Sequence, residues 1–199
     1  MPDTRSPLYR TAKFFSAIGN PLVTSALMIG AACFRFLDRP HGIGLMGALV
    51  LCVIAPITWW NFRGVQTGRY SDFDVSQRQD RKTMYPIVVL LPLIGSGVLW
   101  ATHQPKALCG GMLAVSLMAL VASFVNRWIK VSLHAAFSFF FAVGSAALSW
   151  TWVAPLSIFA VLVAVSRLLI GRHVRRELVL GAFLGSSTGV LLLHALQIL

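Results

Sequence analysis

Two histidines, a single glutamate and a run of arginines are the residues of this 199-residue chain able to do chemistry together. His173 and Glu177 are four apart, so on one helix they share a face and the carboxylate can accept the imidazole N–H. That contact fixes the tautomer, puts the lone pair on the opposite ring nitrogen and stabilises positive charge on the ring, as an orienting acid does for a catalytic histidine. Arg167 and Arg172 flank the pair with fork-shaped donors suited to phosphate oxygens. Ser132 is placed to cap a helix on which His134 sits near the start, where unpaired N–H groups and the helix dipole attract an anion. Without a ligand, the same two residues read as a capping serine and a histidine at headgroup level. Lys130, and Arg78, Arg81 and Lys82 in the polar 71–86 stretch, add further positive charge. A nucleophile with an orienting acid, a second histidine as general acid and a ring of cations suit phosphoryl transfer, where catalysis is mostly positioning and charge neutralisation. Asp72, Asp74 and Asp80 are read as ion-pair partners of Arg78, Arg81 and Lys82 rather than as a magnesium site, so no metal or cofactor is expected.

The elements that must position these residues are membrane helices. Apolar residues make up 57% of the chain and charged ones 12%, against about 45–50% and about 25% in a soluble domain. Mean hydropathy is +0.76. A separate soluble catalytic domain is thereby excluded. One charge at the centre of a membrane helix costs roughly 2.5–3.5 kcal/mol on insertion scales, so charge-free windows mark the spans. They fall at 14–34, 40–62, 83–105, 107–126, 131–166 and 178–199. The fifth is too long for one crossing, and the Ser149–Pro155 stretch, with Trp150, Trp152 and a proline, predicts a turn that splits it. The expected fold is an all-α, polytopic helical bundle of seven spans in one domain over 1–199. Six spans with a re-entrant or interfacial helix is the alternative. Cys33, Cys52 and Cys109 lie in apolar stretches without CxxC spacing and read as packing residues.

Seventeen Lys and Arg stand against six acids. Seven spans put Arg5, Arg10, Lys13, Arg63, Arg69, Arg78, Arg81, Lys82, Arg127, Lys130, Arg167, Arg172, Arg175 and Arg176 on one side, and Arg35, Arg39 and Lys106 on the other. The positive-inside rule makes the first side cytoplasmic. His134, His173 and Glu177 share that side. A net charge of +11 can mark nucleic acid, an acidic membrane or an anionic substrate; with no soluble domain, nucleic acid is not expected.

At these residues the sequence resembles the type 2 phosphatidic acid phosphatase superfamily, the membrane lipid phosphatases with vanadium haloperoxidase-like relatives. Its signature has three parts: K-x6-R-P, P-S-G-H and S-R-x5-H-x3-D. Ser166-Arg167, five residues, His173, three residues and Glu177 reproduce the third with Glu for Asp. Ser132 and His134 match the second, with Val131 and Leu133 in place of Pro and Gly. Arg78, six residues, then Tyr85-Pro86 keeps the spacing and proline of the first, with Arg81 or Lys82 available for the missing charge. The resemblance covers roughly residues 60–190. It implies that His173 forms a phosphohistidine, Glu177 orients it, and His134 protonates the leaving alcohol. Arg167, Ser132 and Arg78, helped by Arg81, Lys82 and Lys130, would hold the phosphate. Many bacterial proteins of that kind act on the outer face of the inner membrane, whereas the charge bias predicts a cytoplasmic-facing site.

The expected function is an integral membrane phosphatase that takes a phosphomonoester or diphosphate from an isoprenoid or phosphatidic-acid-type lipid, without metal. A phosphotransferase on the same scaffold is a close variant. A noncatalytic binder or transporter of phosphorylated lipids, for which basic side chains alone suffice, is the alternative from another class. A structural membrane subunit is the blandest reading and predicts that neither His173 nor Glu177 matters to any ligand. Gly181, Gly185 and Gly189, spaced by four, permit close helix packing within the chain or between copies.

Overall fold

The structure, a computed structural model, describes residues 6–199 and is all-helical, with no strand among the described residues. Arg5, counted above among the basic residues, and Asp3, among the acids, lie outside them. The helices are α1 (Pro7–Ile18), α2 (Pro21–Phe36), α3 (Arg39–Leu49), α4 (Ala55–Gln66), α5 (Arg81–Ala101), α6 (Lys106–Val125), α7 (Leu133–Gly144), α8 (Val153–Leu169) and α9 (Arg175–Ala195). Among the described residues, five stretches are long and apolar enough to cross a membrane: Arg39–Gln66, Arg81–Ala101, Lys106–Val125, Trp150–Leu169 and Arg175–Ala195. The broken pair α1–α2 makes six if it counts as one.

The windows and the helices differ in two places, each for a local reason. Residues 14–34 are not one helix, because Asn20 Oδ1 accepts the Leu22 N–H at 2.9 Å and Pro21 opens α2. An Asn cap followed by Pro starts a new helix, and a search for charges cannot see it. The 131–166 window does split, with a 3-10 turn at Trp150–Trp152 before α8. However, its first half, Leu133–Ala147, is a shorter apolar helix, below the roughly 20 residues a span needs. By contrast, the Thr102–Pro105 connection separates α5 from α6 as expected. Arg39–Gln66 passes through Pro56 by taking a π-helical register over Val50–Ile54, with Ala55 N–H on Val50 O. That widened turn accommodates a residue that has no N–H to give.

The chain divides into two compact units, the first made of residues up to Thr24 with Ile129–Leu199 and the second of Ser25–Trp128. In the first, α1 packs on α8, α8 on α7 and α7 on α9. In the second, α5 pairs with α6, and two buried serines bond across that pair, Ser96 Oγ to Cys109 O and Ser116 Oγ to Val89 O, both at 2.8 Å. All three cysteines are free thiols, Cys33 and Cys109 buried and Cys52 exposed.

Large apolar side chains face outward along the long helices, among them Leu51 at 70%, Phe183 at 71% and Leu191 at 69% exposure. Outward apolar surface on this scale marks a membrane or partner-facing surface, and together with helix length it marks a membrane protein.

The α7–α9 contact positions the site. Gly181, Gly185 and Gly189 line one face of α9. A Cβ at Gly181 would come within 2.5 Å of Ser132 O, one at Gly185 would fall on Ala136 O, and one at Gly189 would meet Val143 at 2.8 Å. The glycine stripe is therefore used inside the chain, letting two backbones touch where side chains would hold them apart.

Candidate active site

The S-R-x5-H spacing has a structural cause. α8 ends in a Schellman turn: Gly171 N–H bonds Leu168 O and Arg172 N–H bonds Arg167 O, both at 3.0 Å, with Gly171 at φ +72. Left-handed backbone at that position suits glycine. The same Arg167 carbonyl also accepts the His173 N–H at 3.3 Å, so the turn ties the arginine's backbone to the histidine's. Gly171→Ala should cost about 1 kcal/mol through its φ alone, since open space surrounds the position. A detergent unfolding curve measures it, and an unchanged midpoint would count against the turn as described.

His173 lies before α9, not on it. Arg175 is the first helical residue and Val174 the cap. The pair forms even so, because Glu177, in the first turn, reaches back: Oε2 lies 2.7 Å from His173 Nδ1 and also accepts the Val174 N–H at 3.4 Å. Capping alone would explain the second bond, not a short bond to an imidazole whose side chain is wholly buried while the carboxylate is 14% exposed. Lys130 Nζ stands 4.0 Å from the same oxygen and donates to Arg172 O at 2.9 Å. With Nδ1–H on the carboxylate, Nε2 is the ring nitrogen that carries the lone pair.

A second histidine–acid pair shows what burial adds. His41 Nδ1 lies 2.6 Å from Asp38 Oδ1, but these side chains are 80% and 61% exposed. The His41 hydrogen bond, with a smaller contribution from its charge, holds the Asp38 carboxyl below the ordinary aspartate value. Water competes at both groups there, so the pair is worth little.

Ser132 connects the second motif to the third. Its N–H bonds Glu177 O at 3.1 Å, and its Oγ caps α7 by accepting Ala135 N–H at 3.4 Å. His134 is the second residue of α7 and is buried. Ser138, one turn further along the same face, is also buried, and its hydroxyl makes no hydrogen bond. Arg167 is 1% exposed and donates from Nη1 to Ser16 Oγ of α1 at 2.7 Å. Ser16 has no sequence signal, lying in an apolar run 151 residues away.

His173, Glu177, His134, Ser132, Lys130 and Arg167 thus belong to the first unit, and all but His134 are joined by the bonds above. Arg78, Arg81 and Lys82 belong to the second. There Arg78 Nη1 donates to Trp128 O at 2.8 Å, and the Arg78 carbonyl accepts from Asn126 at 3.2 Å. Buried Arg81 donates from Nε to Val75 O at 2.9 Å, while Lys82 is exposed. Arg78 and Arg81 thus hold backbone carbonyls within their own unit. Asp72 accepts from Ser76 N and Oγ, at 3.3 and 3.0 Å, which ties it into the turn that Arg81 holds. No group of three or more His, Cys, Asp or Glu able to hold a metal ion occurs among the described residues.

Glu177→Gln keeps an oxygen on Nδ1 but removes the charge that stabilises the imidazolium. If His173 is the nucleophile, turnover should fall about 10²–10³-fold with little change in unfolding midpoint. Undiminished turnover would show that Glu177 is only a cap. Comparison of the chain with models of known families, with curated proteins and with solved structures gives no match.

Proposed function

We propose that the protein is an integral membrane phosphatase that removes a terminal phosphate from a lipid. The observation that carries this reading is the buried His173–Glu177 pair, whose carboxylate residue is tied by its own backbone carbonyl to Ser132, two residues before His134. His173 Nε2 attacks phosphorus and the bond from phosphorus to the lipid oxygen breaks. His134 gives that oxygen its proton, and Glu177 holds the charge developing on His173. Water, deprotonated by the same His134, then splits the phosphohistidine and releases inorganic phosphate. Arg167, Ser132 and the N–H groups at the start of α7 neutralise the phosphoryl oxygens. Lys130 holds the Arg172 carbonyl and the Glu177 carboxylate in place. None of these steps calls for a metal.

The lipid tail lies between helices while a small headgroup reaches the basic end, which fits isoprenoid phosphates and diphosphates and phosphatidic-acid-type lipids alike. We place the helices across a bacterial inner membrane with the site facing the cytoplasm, from the excess of Lys and Arg on that side. An engineered cysteine in the 61–85 loop that an impermeant reagent labels in intact cells would overturn the sidedness.

The test of function is phosphate release in detergent from several lipid phosphates with chelator present, for the wild type and His173→Ala. Release by the wild type alone supports the reading. Phosphate passed to a second alcohol would make it a phosphotransferase, and binding of the lipid phosphates without turnover would make it a noncatalytic binder or transporter.

A further inference from the structure

We infer that Ser16 is a positioning residue for the phosphate-binding arginine, and that α1 is therefore part of the active site. The inference rests on the phosphatase reading for its ligand, and on the α1–α8 contact for its geometry. Arg167 is among the most deeply buried side chains of the chain, at 1% exposure, and a buried guanidinium must have its direction set by hydrogen bonds. Ser16 Oγ, itself 6% exposed, accepts from Nη1 at 2.7 Å. That takes one N–H of the five that a guanidinium carries in a plane, and holding one end of a rigid fork sets the direction of the whole.

The bond is built into a helix contact. Ala12 and Ser16 form the buried face of α1, continued by Gly19 at its C-cap. Opposite them on α8, Phe159, Val163 and Arg167 recur every four residues. Phe15 and Phe159 stack tilted with centroids 6.5 Å apart, and Gly19 lies so close to Val163 that a Cβ there would collide with it. Away from that face α1 exposes Arg10, Lys13 and Phe14. A basic, apolar outer side of this kind suits a helix lying at a membrane surface. One helix thus carries a membrane-facing side and the hydroxyl that aims Arg167.

Inorganic phosphate is the probe that separates aiming from packing. Wild type, Ser16→Ala and Ser16→Thr are purified in detergent and compared for KM and kcat on a lipid phosphate, for competitive inhibition by phosphate, and for the phosphate-induced rise in unfolding midpoint. Losing a hydrogen bond to a charged group should raise KM and the phosphate inhibition constant of Ser16→Ala together by about tenfold, with kcat within about threefold. The hydroxyl of Ser16→Thr should restore both to within about threefold. A purely structural role would lower the unfolding midpoint and leave both constants unchanged. If turnover depends on His173 and Ser16→Ala keeps both constants, this inference falls alone. If the wild type shows neither turnover nor a phosphate-induced rise in midpoint, it falls together with the phosphatase reading. A rise without turnover that Ser16→Ala loses and Ser16→Thr keeps supports the inference for a protein that only binds phosphate.

Discussion

His173→Ala is expected to lower turnover of a lipid phosphate by at least about 10⁴-fold, because in the proposed mechanism the variant lacks the atom that attacks phosphorus. What remains would come from phosphate binding by Arg167 and the start of α7, as charge stabilisation survives loss of a nucleophile in other enzymes. A protein incubated with radiolabelled substrate and quenched in base should carry label that acid removes, as a phosphohistidine does, and the alanine variant should carry none. The unfolding midpoint should change far less than the rate, since the Arg167–Arg172 turn does not depend on the imidazole. Label retained in His173→Ala would move the nucleophile elsewhere. Full turnover without His173 would sink the mechanism.

The largest stability effect is expected at a glycine with no polar atom in its side chain. Gly185→Ala adds one carbon, and that carbon would fall on the Ala136 carbonyl of α7. Overpacking commonly costs about 1–3 kcal/mol when side chains can move aside. Here the obstacle is backbone, and relief requires α7 and α9 to separate along their length, so about 3 kcal/mol or more should be lost. Activity should fall further than folding alone explains, because α7 carries Ser132 and His134 and α9 carries Glu177. Gly97→Ala on α5, with open space around the position, is the control and should leave the unfolding midpoint unchanged or raise it. Equal midpoints for the two variants would rule out the close α7–α9 approach.

How far the site was legible follows from how its parts are separated along the chain. His173 and Glu177 were readable because a four-residue spacing carries its own geometry, even though the pair closes over a helix start and not along a helix. The Lys130–His134 stretch was readable as a helix start because capping chemistry is local, with Ser132 as the cap. The Arg78, Arg81 and Lys82 group was readable as charge but not as contact. A guanidinium bonded to a backbone carbonyl has the same letter as any other, and only the folded chain shows Arg78 on the Trp128 carbonyl and Arg81 on that of Val75. Ser16 was not readable at all.

The helices follow the same division. Charge-free length located nearly every apolar helix, because the cost of placing a charge in hydrocarbon is large and independent of fold. It failed where the break is made by hydrogen bonding at Asn20–Pro21, a signal of a different kind, and it could not say that Leu133–Ala147 stops short. Residue types and short spacings thus determined that this is an all-helical membrane protein with a histidine–carboxylate pair among cations, since both depend on chemistry within about one helical turn. Tertiary structure alone decided that Lys130 stands beside that pair, that the glycine stripe of α9 closes on α7, and that Ser16 meets Arg167. Those contacts join residues up to 151 positions apart, and no local preference encodes which distant helix a given face will meet.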